Sequence, residues 1–175
     1  MQQFKNKRVG GQLYNLAHLD PFTFVVTHNA INHSVRVMFE DHVFTEEHNA
    51  AVHTPDLIYS RRNGDWRAFN LRRWQLSLDL PQLFQTIGGQ SVYSSQGRNF
   101  FFLRGNLADP PYAVFFEALK SNRNDADVSV FVRSAYEKDN MTKWASPVSF
   151  PRLIDAASRE VAPPMGPAAR IRRRR

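Results

Sequence analysis

The chain contains no cysteine among its 175 residues. This absence excludes a disulfide framework, a thiolate metal site and a thiol nucleophile. It does not define a cellular compartment, because a cysteine-free chain is compatible with reducing and oxidising surroundings. A chain of this length can bury a hydrophobic core without cross-links or metal, so the sequence predicts one ordinary domain.

Long apolar runs are also missing. No stretch approaches the roughly 18 apolar residues of a membrane span, and the basic start of the chain leads into no signal-type apolar region. The sequence contains no glycine-rich phosphate loop, nucleophile elbow, dinucleotide fingerprint or paired-carboxylate motif. We therefore expect a soluble, cytoplasmic protein with no membrane partner and no cofactor.

The net charge of +7 is concentrated at the two ends of the chain. Residues 1–8 contribute +3 and residues 159–175 contribute +5, which leaves −1 for residues 9–158. We expect a basic N-terminal segment (1–8), a single domain (9–158) and a disordered arginine-rich tail (159–175). Cationic ends of this kind bind RNA or another polyanion without sequence preference, or simply keep a protein soluble.

Alternating hydrophobicity predicts most of the strands. Residues 22–28 and 34–44 alternate around a short asparagine-containing loop and indicate a β-hairpin. Three further runs, 99–104, 111–120 and 127–136, are separated by turn residues and indicate an antiparallel meander. Strict alternation in the last run would place Val128, Val130, Val132, Ser134 and Tyr136 on one face.

One helix is predicted over Leu80–Ile87. Asp79 is suited to cap it, Pro81 to its first turn and Gly88-Gly89 to its end. The preceding segment, residues 66–80, fits a strand and a helix equally well. Together these elements predict an α+β fold: an antiparallel sheet of about five to seven strands, with one short helix packed on it and a basic disordered C-terminal tail.

All six histidines lie within the first 53 residues. Imidazoles with nearby carboxylates could bind zinc or iron, but the chain has no His-Glu-x-x-His helix and no His-x-His pair. A metal-dependent enzyme is therefore the weakest of the functional hypotheses. His42 differs from the others because alternation places it opposite the apolar face of its strand, which makes it the best acid or base candidate.

A second set of candidates is arginine-rich. Five arginines stand near Asp65, and aromatic residues lie among them: Arg61, Arg62, Arg67, Arg72 and Arg73 with Trp66, Phe69 and Trp74. Guanidinium groups bind phosphate and stabilise charge in a metal-free phosphodiester-cleaving site, while rings can stack on bases. The alternative is a solvated basic surface whose aromatic residues point into the core. A third set lies on the meander: Asn99, Lys120, Arg133, Ser134 and Tyr136.

The meander ends in Ser134-Ala135-Tyr136 after one short helix and several antiparallel strands. Over residues 79–136 this arrangement resembles the barnase/RelE-like ribonuclease superfamily, whose small toxin and phage-associated members often end a strand with a hydroxyl residue and an aromatic one. The resemblance implies roles for Arg67 or Arg73, for Lys120 and for Tyr136.

Two main functional hypotheses follow. The first is an RNA-binding protein, in the form of a toxin-like or phage-associated, metal-independent ribonuclease. Its catalytic candidates are His42, Arg67, Arg73 and Tyr136, and its nucleic-acid-binding candidates are Arg61, Arg62, Arg72, Lys120, Arg133, Arg172 and Arg173. The second is a non-enzymatic interaction or regulatory protein of a phage or mobile element, with a partner surface that includes Phe100, Phe101, Phe115 and Trp144. Convergence of the four catalytic candidates in one cleft would favour the first.

Overall fold

The structure, a computed structural model, describes residues 2–62, 64–95, 99–104, 111–138 and 144–170. Its helices are α1 (Leu71–Ser77), α2 (Leu80–Gln85) and α3 (Phe150–Ser158). Its strands are β1 (Lys7–Val9), β2 (Gln12–Tyr14), β3 (Phe22–His28), β4 (Ile31–Phe39), β5 (Thr45–Glu47), β6 (Ile58–Arg62), β7 (Asp65–Phe69), β8 (Ser91–Ser94), β9 (Phe100–Arg104), β10 (Tyr112–Lys120), β11 (Val128–Glu137), β12 (Trp144–Ala145), β13 (Pro147–Ser149) and β14 (Ala169–Arg170). Short 3₁₀ turns span Ala17–Leu19, Asp41–Val43 and Pro55–Leu57.

The main sheet has seven strands among the described residues, in the order β13-β8-β9-β10-β11-β4-β3. All neighbours are antiparallel except β11 and β4, which are parallel. The α+β class and the predicted number of strands are confirmed. The parallel pair was not predicted, because alternation within the hairpin and within the meander carries no information on how the two units join.

The predicted hairpin is present as β3 and β4, but its second strand spans Ile31–Phe39 rather than residues 34–44, so His42 lies in a 3₁₀ turn and not on the strand as expected. Its turn is the two-residue loop Asn29-Ala30, and both residues have positive φ, +48° and +62°. Such a loop matches the right-handed twist of the strands that it joins. The expected inward residues of β4, Val35, Val37 and Phe39, are buried.

The ambiguous segment 66–80 contains both kinds of element. Strand β7 passes into α1 at Asn70, whose side-chain oxygen accepts a hydrogen bond from the Arg73 backbone N–H at 2.9 Å. The helices α1 and α2 form one bent helix over residues 71–85. The expectation that Asp79 starts a separate helix is wrong, because its backbone is itself helical (φ −86°, ψ −11°). The helix ends at Gln85, two residues before the predicted end at Ile87, and Gly88 has a positive φ of +48° in the turn that follows.

The core is built from aromatic rings on one face of the main sheet. Phe84 of α2 is fully buried and contacts four other phenylalanines from β4, β9, β10 and α3, with ring centroids 5.4–6.5 Å apart: Phe39, Phe102, Phe116 and Phe150. Burial of a side chain of this size contributes about 1.5–3 kcal/mol to the free energy of unfolding. The rings therefore hold α2 and α3 against the sheet.

Strand β11 contains a bulge at Arg133. Phe115 of β10 pairs with Ser134 but Phe116 pairs with Val132, so Arg133 is an extra residue. The alternation consequently shifts by one position, and Ala135 is fully buried. The expectation that Ser134 and Tyr136 share a face with Val132 is therefore wrong.

The C-terminal segment differs from the expected disordered tail over residues 159–170. Ala145 and Trp144 pair with β14, and the Gly166 N–H donates to the Pro147 carbonyl at 2.8 Å. Met165 packs against the core, and a Cβ at Gly166 would lie 3.3 Å from the Pro147 carbonyl oxygen. A proline-rich sequence that cannot form a helix thus binds the body as an extended strap. Residues 171–175 lie outside the described part of the chain.

We predict that deletion of residues 162–175 lowers the free energy of unfolding by about 1–2 kcal/mol, because apolar burial and strand pairing are lost. Urea unfolding measures the change. Deletion of residues 171–175 alone is the matched control, since it also removes arginines but leaves β14 intact. Equal stability of the two truncated proteins would contradict a docked strap.

Candidate functional site

A groove of about 850 Å³ lies beside the turn that follows β4. His42 and Arg67 line it, together with the N-terminal residues Lys5 and Lys7 and with Asp65 of β7. The 3₁₀ turn Asp41–Val43 positions His42 where the chain leaves the main sheet. The groove therefore collects groups that are distant in sequence, with both signs of charge.

The His42 imidazole is held between two carboxylates. Its Nε2 atom lies 3.9 Å from Asp41 Oδ1 and 4.0 Å from Asp65 Oδ2, and the side chain is 40% exposed. Asp41 is oriented by Ser60, whose hydroxyl donates to Asp41 Oδ2 at 3.0 Å. An accessible imidazole can serve as a general acid or base.

Arg67 joins the groove to strand β5. Its Nε donates to Thr45 Oγ1 at 3.2 Å and its Nη2 to the Thr45 carbonyl at 3.1 Å. Among the described residues it forms no salt bridge with a carboxylate. Its positive charge is consequently not neutralised by direct pairing.

Arg73 supports the same turn from helix α1. Its Nη1 donates to the carbonyls of His42 at 3.2 Å and Thr45 at 2.6 Å. Burial lowers the pKa of Arg73, Glu46 opposes this effect, and Arg67 lowers the pKa further. A guanidinium still remains charged at neutral pH. Arg73 thus acts on the backbone that carries His42.

Tyr136 does not line the groove. Its ring stacks on Phe115 with the ring centroids 5.4 Å apart, and the Arg73 guanidinium lies 5.3 Å from the centroid of the Tyr136 ring. Two of the four catalytic candidates, His42 and Arg67, therefore share the groove. Arg73 contacts the turn that carries His42, and the ring of Tyr136 packs against the Arg73 guanidinium.

Several of the proposed nucleic-acid-binding residues are paired with carboxylates. Arg72 binds Glu137 and lowers the pKa of that carboxyl, and Lys120 lies 3.0 Å from Glu160. Arg133 pairs with Glu40 and Glu117, and hydrogen bonds to them raise the pKa of Arg133. These charges are largely compensated within the protein.

Arg61 has a different contact. Its guanidinium lies 4.0 Å from the centroid of Trp66, a ring that is 40% exposed. Alternation along β7 directs Trp66 to the sheet face opposite Arg67. The side chain of Arg62 and the residues Arg172 and Arg173 lie outside the described part of the chain.

The sequence did not indicate that Lys5 and Lys7 line the groove. It also did not indicate that Asp65 lies beside His42. The Lys7 ammonium donates to the Ile58 carbonyl at 2.8 Å, and burial lowers the pKa of Lys7 while Asp56 opposes the effect. The Asn63-Gly64 dipeptide in the sequence, a common hairpin signal, was the available signal for Asp65. It predicts a hairpin, but it does not predict that the hairpin packs against the β4 turn.

The other histidines have separate environments. His53 Nδ1 accepts the Asn49 N–H at 2.8 Å, so its Nε2 carries the proton and faces Glu46 at 3.1 Å. His33 is buried with Nε2 3.4 Å from Asp155, and His18 Nε2 lies 2.8 Å from the Ser77 hydroxyl. No group of three or more metal-ligating side chains is close enough to hold an ion within the residues that the structure describes.

The fold and the groove define an α+β protein with a curled sheet and a mixed-charge groove at the end of β4, the strand next to the β3 edge. A family model described as the YjaZ family matches residues 6–158, and the chain belongs to that family. No curated protein matches the chain, and no solved structure does. None of the helices in the described ranges is long and apolar enough to cross a membrane.

We predict that Arg73→Ala lowers the free energy of unfolding by about 1–3 kcal/mol, because the buried Thr45 carbonyl loses a charged donor. Urea unfolding measures the loss, and hydrogen exchange of residues 41–47 should increase. The matched control is Arg72→Ala on the same helix, whose exposed ion pair with Glu137 is worth about 0–1 kcal/mol. Unchanged exchange in Arg73→Ala would contradict a supporting role for Arg73.

Proposed function

We propose that the protein binds RNA in the groove beside β4 and cleaves it without a metal ion, with His42 as the proton acceptor. The observation that carries this proposal is the position of the exposed His42 imidazole and the Arg67 guanidinium in one groove of about 850 Å³. General base and phosphate-binding cation are the two parts that such a reaction needs. We further propose that the protein acts in the cytoplasm, as a toxin-like or phage-associated ribonuclease.

The proposed reaction is an internal transfer on the ribose. His42 removes the proton of a 2′-hydroxyl, the 2′-oxygen forms a bond to phosphorus, and the bond from phosphorus to the 5′-oxygen breaks. The groove is lined by one imidazole, so water supplies the proton to the leaving oxygen. Asp41 and Asp65 stabilise the imidazolium, and Arg67 stabilises charge on the phosphoryl oxygens.

Affinity for RNA arises mainly outside the centre of the groove. Glu40, Asp41 and Asp65 repel phosphate, while Lys5 and Lys7 enter from the basic N-terminal segment. The arginine-rich C-terminus, including Arg172 and Arg173, adds positive charge that attracts a polyanion at long range. The resemblance of residues 79–136 to barnase/RelE-like ribonucleases supports the same class, although Tyr136 takes no direct part in this scheme.

The competing function is a non-enzymatic interaction protein of a phage or mobile element. Phe100 and Phe101, two members of its expected surface, are only 9% and 4% exposed. The side chain of Trp144 lies outside the described part of the chain. Apolar residues on the hairpin, Val25 (63% exposed) and Ile31 (55%), favour a protein contact elsewhere.

We predict that His42→Gln lowers RNA cleavage by about 10² to 10⁴ fold and leaves RNA affinity unchanged, since it removes the base but not the cations. Cleavage of labelled total RNA is measured in the presence of chelator. His28→Gln, at the end of the hairpin and outside the groove, is the matched control. Wild-type protein that leaves RNA intact would overturn the enzymatic part of the proposal.

Binding is tested separately with Lys5→Ala. We predict weaker RNA binding and a slope of log affinity against log salt that is smaller by about 1, because one fewer counterion is released. Fluorescence anisotropy at several salt concentrations measures both quantities. Lys120→Ala is the control, because Lys120 is paired with Glu160 and is not among the residues that line the groove. Identical slopes for the two variants would contradict RNA binding in the groove.

A further inference from the structure

Strand β3 forms one edge of the main sheet, because the strand order ends there. Its register with β4 is continuous from the pair Phe22–Val37 to the pair His28–Ile31. Among the described residues, no further strand or backbone hydrogen bond reaches the other side of β3. Its outer backbone groups are therefore available to another strand.

This edge lacks the features that normally prevent pairing. Edge strands that are protected from pairing with another chain commonly carry a lysine, a proline or a bulge. The strand reads Phe-Thr-Phe-Val-Val-Thr-His from residue 22 to residue 28, with no lysine, no proline and no shift in register. Its side chains include Val25, which is 63% exposed.

The hairpin turn determines which backbone groups point outward. In a two-residue hairpin the residues next to the turn, here His28 and Ile31, exchange hydrogen bonds, and every second pair does the same. Val26 and Phe24 therefore face β4 with their N–H and C=O groups. Thr23, Val25 and Thr27 direct theirs away from the sheet.

These three outward residues are symmetric about Val25. We propose that two copies of the chain pair through β3 in antiparallel fashion, with a twofold axis at Val25, so that the two main sheets become one. Val25 then pairs with Val25 of the second copy, and Thr23 pairs with Thr27 of the second copy in both directions. The three pairs form about six backbone hydrogen bonds.

The side chains fit this register. The pairing buries the exposed Val25 against its own equivalent and places threonine opposite threonine, a favourable cross-strand pair. On the core side, Phe24 of one copy lies opposite Val26 of the other. Because the strand is complementary to itself, a second copy of this chain is a better occupant of the edge than an unrelated peptide.

Sedimentation velocity from about 1 µM to about 500 µM covers the range of a weak interface. We expect a concentration-dependent dimer for the wild type. Val25→Lys should weaken it by about tenfold or more, because two lysines face each other at the axis. The control is Val52→Lys, which changes a similarly exposed valine (68%) in a loop and should dimerise as the wild type does.

The cysteine-free chain also permits a test of register. A disulfide requires Cα atoms about 4.4–6.8 Å apart, which a hydrogen-bonded pair at about 5.5 Å satisfies. Val25→Cys should form a covalent dimer under mild oxidation, and Val52→Cys should not. A mixture of Thr23→Cys and Thr27→Cys proteins should form the mixed dimer in preference to either self-linked dimer.

A wild type that stays monomeric at about 500 µM would overturn the proposal. A dimer that Val25→Lys leaves intact would overturn it too, because the interface would then lie elsewhere. Circular dichroism of each variant confirms that loss of the dimer is not loss of folding. These results are independent of RNA cleavage, so the two proposals can fail separately.

Discussion

The packing of Phe84 is the interaction on which the remaining structure depends. Its ring contacts phenylalanines from two strands of the meander, from β4 of the hairpin and from α3. Within the described residues, the hairpin and the meander are joined in the sheet only through the parallel β4–β11 pair. Burial of one ring against both units fixes the helix and the two parts of the sheet in a single arrangement.

That arrangement also positions the groove. Phe39, which contacts Phe84, is the last residue of β4, and the Glu40 N–H donates to the Val132 carbonyl at 2.9 Å. The following turn carries His42 away from the sheet, while Arg73 of α1 holds the turn by two carbonyls. The position of His42 is therefore determined by the core on one side and by a charged hydrogen-bond donor on the other.

Local patterns predicted local structure well. The hairpin and the meander follow from alternation, which acts over a few residues. The bulge at Arg133 and the parallel pair could not be predicted, because they depend on which strand lies alongside. The groove shows the same limit: His42 and Arg67 were identified as chemical types, but the approach of Asp65 to His42 depends on the packing of two separate hairpins.

The arginines show why residue counts were a poor guide to the site. Five arginines near Asp65 suggested a phosphate-binding surface, yet Arg72 is bound to a carboxylate and Arg73 to two carbonyls. A guanidinium that is already hydrogen-bonded must exchange those partners for a phosphate, so its net contribution to binding is small. Arg67 also donates to Thr45, but within the described residues neither Arg67 nor Lys5 pairs with a carboxylate, so these two groove cations keep more of their attraction for an anion. The accessible charge of this protein is thus determined by its internal hydrogen bonds as much as by its composition.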